Sequence, residues 1–352
     1  MLQVETSDAI ALLQQLIAIH SFSREEKAVA NFLERYIEIK GYGASRKDNN
    51  VWILSPGFDS SRPTILLNSH IDTVKPVAGW VRDPFSPTIE NGKLYGLGSN
   101  DAGASVVSLL HAFFCLTQKQ QTYNLIFAAT AEEEVSGKNG IESLLQELPK
   151  IDFAIVGEPT QMNLAVAEKG LMVLDCVSTG KAGHAARNEG DNAIYKALKD
   201  IEWFRTYDFI KKTSLLGPVK MSVTQITAGT QHNVVPDKCS FVVDVRSNEM
   251  YSNDEILDEI RRNVGCDVQP RSTRLSSTAT PLDHPIVKKG RELDRSIFGS
   301  PTLSDQALMT FPSLKMVPGD SARSHTADEY IQTNEIVEAV EIYVQLLDGL
   351  NA

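Results

Sequence analysis

Three apolar runs in this chain each lead into side chains that bind cations. Thr64-Ile-Leu-Leu-Asn68 precedes His70 and Asp72, Leu125-Ile-Phe-Ala-Ala129 precedes Glu133 and Glu134, and Phe153-Ala-Ile-Val156 precedes Glu158. Unbroken runs of this length suit strands buried on both faces. Between Val51 and Val156 they alternate with helical patterns such as Val106 to Phe114 and Ile141 to Leu148, which predicts a β/α sheet. Ligands collect beyond the carboxyl ends of such strands, where these residues fall. Asp101, opening an apolar helix-like run, and His325, in Arg323-Ser-His-Thr326, complete the set. Imidazoles with carboxylates suit zinc and its divalent neighbours. There are more carboxylates than one tetrahedral ion needs, so two ions sharing a bridging carboxylate are expected.

A chain of 352 residues exceeds what one core usually supports, so two domains are expected. Ser23-Arg-Glu-Glu26 has capping-box spacing, and Val29, Phe32, Leu33, Tyr36 and Ile37 follow a helical period up to Gly41. After Glu158 the texture changes. Leu171 to Val177, Val219 to Ile226 and Ser240 to Val245 read as strands, and Asn192 to Phe204 and Asp254 to Val264 as helices, a separate small α+β unit. Gln269 to Thr280 reads as a polar return linker, and helices near Pro285 to Phe298 and Glu335 to Leu350 are expected to rejoin the first domain.

The N-terminal apolar stretch, interrupted by Gln14 and Gln15, reads as an amphipathic helix rather than an export signal. No window approaches the ~20 apolar residues a membrane span requires. Cys115, Cys176, Cys239 and Cys266 lie far apart without C-x-x-C pairing, and the net charge is −11. The expectation is a soluble cytoplasmic protein with reduced thiols that contacts neither nucleic acid nor membrane.

His70 and Asp72 form H-x-D, in which the aspartate can reach the second ring nitrogen of a ligating histidine and fix its tautomer. The alternative is a surface tripeptide. Asp101 offers a ligand or a plain helix N-cap. Three consecutive acids, Glu132 to Glu134, usually mark a solvated loop, but after a buried strand their repulsion calls for a cation. One would serve as ligand and its neighbour as general base. Glu158 is otherwise a turn residue, and His325 otherwise an ordinary histidine.

In the order H-x-D, Asp, Glu-Glu, Glu-Pro, His, nearly the whole chain resembles the co-catalytic zinc hydrolases that include acetylornithine deacetylase, succinyl-diaminopimelate desuccinylase, aminoacylases and glutamate carboxypeptidase. The resemblance implies a catalytic domain with a mixed, mostly parallel sheet over 1–165 and 278–352, and an inserted ferredoxin-like α+β lid and dimerisation domain over 166–277. It implies two Zn2+ per subunit, replaceable by Co2+. Asp101 would bridge them, His70 and Glu158 would bind one, Glu134 and His325 the other. Glu133 would be the base and Asp72 an orienter. Thr179-Gly-Lys-Ala-Gly-His-Ala185 resembles the motif whose histidine reaches a partner subunit's site, here His184, against a plain loop histidine. Asn233 and Arg246 match substrate-contacting positions, although an ion pair with Asp244 is the alternative for Arg246. Asp305 resembles a lesser motif near the site. Leu97 and Ala104 stand where many relatives carry Arg and Lys, which bears on subgroup and substrate.

The activity implied is removal of the acyl group from a small N-acyl amino acid by a homodimer. N-acetylornithine, hence arginine biosynthesis, comes first. Succinyl-diaminopimelate, acetyl-lysine, N-succinylornithine and dipeptides are alternatives. Outside catalysis, the rival is a metal-binding interaction protein, against which the retention of Glu133 speaks.

Overall fold

The computed structural model describes residues 6–187 and 189–350. Helices α1 (Thr6–Ile17) and α2 (Lys27–Ile39) open the chain, and α2 buries Val29, Ala30, Leu33 and Ile37 along one stripe. The expected capping box is not made. Ser23 Oγ instead donates to Asp72 at 2.7 Å, and the N-cap Glu26 makes no side-chain cap bond. A carboxylate 49 residues away outcompetes the local backbone for that hydroxyl.

The chain continues through β1 (Ser45–Lys47), β2 (Asn50–Leu54), β3 (Thr64–His70), β4 (Thr88–Glu90), β5 (Lys93–Tyr95), α3 (Ala104–Leu116), β6 (Asn124–Thr130), α4 (Ile141–Leu144), β7 (Phe153–Gly157) and β8 (Leu164–Glu168). Next come β9 (Met172–Thr179), β10 (Gly183–His184), α5 (Ala193–Thr206), β11 (Lys220–Ala228), β12 (Val234–Val235), β13 (Lys238–Arg246), α6 (Asn253–Asn263) and β14 (Asp267–Pro270). It ends with β15 (Thr278–Ala279), α7 (Pro285–Glu292), β16 (Ile297–Ser300), β17 (Ser313–Lys315), β18 (Tyr330–Gln332) and α8 (Thr333–Leu347).

The large sheet runs β1-β2-β6-β3-β7-β17-β8-β15, with β16 also on β8. Its four central strands, β6, β3, β7 and β17, are parallel, and the flanking pairs β1–β2, β2–β6, β17–β8 and β8–β15 are antiparallel. This is the expected mixed α/β sheet. Every residue of β3, β6 and β7 is buried, because both faces are covered; Leu66, Ile126 and Ala154 pack with Ile141 and Leu144. Each fully buried Leu or Ile contributes about 1.5–3 kcal/mol. Beside it, β18, β5 and β4 form a three-stranded antiparallel sheet.

Close contacts divide the chain into two units, one comprising Met1–Val166, Thr280–Phe298 and Ser304–Ala352, the other Ala167–Ala279 and Gly299–Leu303. The second unit has the antiparallel order β11-β13-β9-β14 and the β-α-β-β-α-β succession of a ferredoxin-like fold. Leu174, Phe204, Phe241, Val243, Ile256 and Ile260 form its core. The segment expected to be a linker, Gln269 to Thr280, holds the end of β14 and all of β15; β14 has weak strand character of its own. It has one buried apolar residue, Val268, and its pairing with Leu174 to Val177, not local hydrophobicity, makes it a strand. The helix expected to reach Phe298 stops at Glu292, since Asp294 takes a left-handed φ of 57°, and β16 follows. No helix among the described residues is long and apolar enough to cross a membrane, and none of the four cysteines is in a disulfide.

Candidate metal centre

Parallel strands β6, β3 and β7 end side by side, so the residues just beyond them meet. His70 is paired with Thr130, and Ser69 with Gly157. Gly157 permits that approach, because a Cβ there would lie 2.3 Å from Ser69 Oγ. Asp101 arrives from an irregular turn, Ser99–Gly103, ahead of α3. It is not an N-cap. His325 arrives from the loop before β18, in a left-handed conformation (φ 57°).

Two triads result. His70, Asp101 and Glu158 bring one donor atom each to within 4.8 Å of one another, as do Asp101, Glu134 and His325. His70 Nε2 lies 3.3 Å from Asp101 Oδ1 and 3.7 Å from Glu158 Oε1. His325 Nε2 lies 3.0 Å from Glu134 Oε2 and 3.7 Å from Asp101 Oδ2. Zinc holds N and O ligands at ~2.0–2.2 Å, which puts tetrahedral neighbours roughly 3.3 Å apart. The donor set therefore fits two ions, with Asp101 presenting one oxygen to each triad.

Asp72 holds this arrangement by two routes. The nearer acceptor for His70 Nδ1 is the backbone carbonyl of Asp72, at 2.9 Å, while its carboxylate lies at 3.5 Å. The carboxylate accepts from Glu133 N at 3.0 Å and Glu134 N at 3.2 Å. One aspartate thus fixes the His70 ring and orients the turn bearing both glutamates. Asp72→Asn is expected to leave metal bound and to lower activity by about 10–100-fold, because the amide offers one acceptor where two N–H groups need one each. A metal-bound crystal structure with Asp72 as a direct ligand would contradict this role.

Burial, reinforced by crowding of like charges, sets the titration of the carboxylates in the site. Burial and the neighbouring Glu158 raise Glu133 well above the usual range, and burial with Asp101 does the same to Glu158. Burial also pushes Asp305 up to about 6, against hydrogen bonds from Asn68 and Thr130. Burial and Asp101 push Glu329 up to about 8, although it accepts three backbone N–H bonds. Burial opposes ionisation of Asp101 and Asp72 too, yet hydrogen bonding holds both low, chiefly from His70. His325 is raised to about 9, first by its bond to Glu134. Lys315, a buried lysine on β17, partly offsets the anionic excess at Glu158.

Groups raised on folding stabilise the folded state below their unfolded values and lose that contribution as pH rises through the folded ones. For Glu133, Glu158 and Glu329 the loss runs from the ordinary glutamate value of 4.5 upward, to about 8 for Glu329. Asp72 and Asp101, depressed from 3.8, already contribute fully across that window. With His325 raised from 6.5 to about 9, metal-free protein is therefore expected to lose melting temperature from about pH 5 to about pH 9, and zinc to restore it. A metal-free melting temperature that rises over this range would contradict the assignment.

The other three expected site residues lie in the second unit. His184 is exposed on β10, paired with Val234, and Ala185 N donates to Asn233 O at 3.0 Å, so His184 and Asn233 are neighbours. Ala186 N donates to His184 Nδ1 at 3.1 Å, which leaves Nε2–H as the outward donor of the neutral ring. Arg246 makes a bidentate pair with Asp244 at 2.8 and 3.0 Å. The ion pair weighed from sequence is the contact present here. Leu97 and Ala104 are both buried. Glu329 and Lys315 were not anticipated. Only the short spacing of Glu329 after His325 pointed to the former, and nothing local to the latter.

The model of peptidase family M20/M25/M40 matches residues 66–349. The chain belongs to this family. It is 31% identical over 359 residues to the putative succinyl-diaminopimelate desuccinylase of Mycobacterium tuberculosis, covering 97% of this chain and 98% of that protein. It is 28% identical to the acetylornithine deacetylase of Proteus mirabilis, covering 97% and 96%. Among solved structures, a Bacillus subtilis dinuclear metal-binding peptidase of the M20 family shares the fold with a TM-score of 0.74 at 15% identity, covering 98% of this chain and 99% of that one. The M20 chain described here is thus a metallo-hydrolase acting on amide bonds.

Proposed function

We propose that this M20 protein is a di-zinc deacylase of N-acyl diamino acids. The observation that carries this reading is the pair of triads sharing Asp101, with Glu133 beside them. His70 and Glu158 would hold one ion, Glu134 and His325 the other, and Asp101 both. When bound, two zinc ions polarise an amide carbonyl and bring a water pKa towards ~7. Glu133 takes the proton of the attacking water and delivers it to the leaving amine. His184, through Nε2–H, stabilises the oxyanion from a partner subunit of a homodimer formed by the second unit. A monomer active in full would contradict that last step. Asn233 and Arg246 contact the substrate, Arg246 exchanging Asp244 for the substrate carboxylate. Cysteines outside disulfides suit a reducing cytoplasm.

Both relatives are named for acyl derivatives of diamino acids, ornithine in one and diaminopimelate in the other. N-acetylornithine comes first, since a net charge of −11 favours a cationic side chain over a second carboxylate. N-succinyl-diaminopimelate is the second reading, favoured by the 31% relative. Turnover on N-acetyl and N-succinyl forms of ornithine, lysine and diaminopimelate tests the assignment. Preference for succinyl-diaminopimelate over every ornithine and lysine derivative would select the second reading, and hydrolysis of none would remove both.

A further inference from the structure

Strands β5 and β18 pair Tyr95 with Tyr330, and the ladder continues one step, with Gly96 N donating to Glu329 O at 3.0 Å. This step sets the Glu329 side chain beneath the segment that carries Asp101. There its carboxylate accepts from Gly98 N at 3.1 Å through Oε2, and from Asn100 N at 2.8 Å and Asp101 N at 2.9 Å through Oε1. Glu329 is 2% exposed. Gly98 makes the turn possible with a φ of 73°. A second tie joins the same two stretches of chain. Asn100 Nδ2 donates to Asp320 O at 3.1 Å and Ser324 Oγ at 3.2 Å, and Asp320 N donates to Asn100 Oδ1 at 3.0 Å.

His325 lies between Ser324 and Glu329. Two of the three donors of the second triad, Asp101 and His325, thus sit on segments clamped together on both sides. The third, Glu134, is placed independently by Asp72. Glu329 is a buried carboxylate. It lies close to Asp101, a like charge, and such an arrangement is costly unless a cation balances both. The cost is understandable if the bonds serve to hold Asp101 in place.

We infer that Glu329 is a positioning residue for the metal centre: by binding the N–H groups of Gly98, Asn100 and Asp101, it fixes the bridging carboxylate against the His325 loop so that the second ion finds its donors already in place. Pre-set ligands bind without first paying to order a loop, so loosening them weakens the ion rather than abolishing the fold. Glu329→Gln keeps the shape but sets an NH2 donor against backbone donors. The inference rests on the di-metal reading, and wild-type protein tests that reading in the same experiment.

Calorimetric titration of stripped protein with zinc alone should give two ions for wild type. Fewer than two would reject the di-metal reading itself. For Glu329→Gln the second ion should weaken by about 10–100-fold, with kcat reduced at limiting zinc, KM unchanged, and kcat recovered in excess zinc. A merely structural role would lower the melting temperature of the metal-free protein and leave zinc affinity untouched; that result, or wild-type affinity with wild-type kcat, overturns the inference. If Glu329→Gln does not fold, Asn100→Ala, which cuts the parallel tie, decides by the same titration: a weakened second ion supports the clamp, and an unchanged one overturns it.

Discussion

Glu133→Gln is expected to lower turnover by at least ~100-fold while both ions stay bound. Glu133 belongs to neither triad, so the change removes no ligand. Its backbone N–H still bonds Asp72, so the turn and the neighbouring Glu134 keep their places. The amide can hydrogen-bond a water but cannot take its proton. Burial first, then Glu158, Asp305 and Glu134, raise the Glu133 carboxyl, and bound cations oppose that rise, bringing the group towards the range in which a base works near neutral pH. Near-normal turnover in a metal-replete variant would remove Glu133 from the mechanism.

Asp101→Ala should have the widest effect on metal. Asp101 is the one residue common to both triads, so its loss takes a donor from each ion. Changing an outer partner of a ligand costs about 10–100-fold in metal affinity. Removing a shared ligand should exceed that for both ions, and activity should fall with them. Glu158→Ala takes a donor from one triad only and should weaken one ion. A zinc titration in which Asp101→Ala loses a single ion, like Glu158→Ala, would show that the carboxylate does not bridge.

What could be read from the chain alone follows from where the information sits. His70, Glu133, Glu134 and Glu158 were visible because each lies at or just past the end of an unbroken buried strand, so local hydrophobicity places them at the carboxyl ends of neighbouring strands. Asp101 and His325 joined them through motif order, since neither follows a strand. Contacts made across long separations were not legible. Ser23 reaches Asp72, and Glu329 reaches Asp101 across 228 residues, while a capping-box pattern and a lone glutamate look the same whether or not such partners exist. Strand β14 was hidden because its identity depends on β9, and β16 because the break at Asp294 is conformational. Lys315 is buried on β17 and lowers the titration of Glu158, a nearness that the sheet, not the local sequence, creates.

On the proposed reading, two ions held by five side chains, His70, Asp101, Glu134, Glu158 and His325, make the protein an amide hydrolase. The most direct test of that reading adds zinc stepwise to chelator-stripped protein and follows hydrolysis of N-acetylornithine and N-succinyl-diaminopimelate. The account predicts negligible hydrolysis without metal, a rise with added zinc, and a plateau at two equivalents per chain. Full activity in the stripped protein, or none on either substrate once two equivalents are bound, would contradict it.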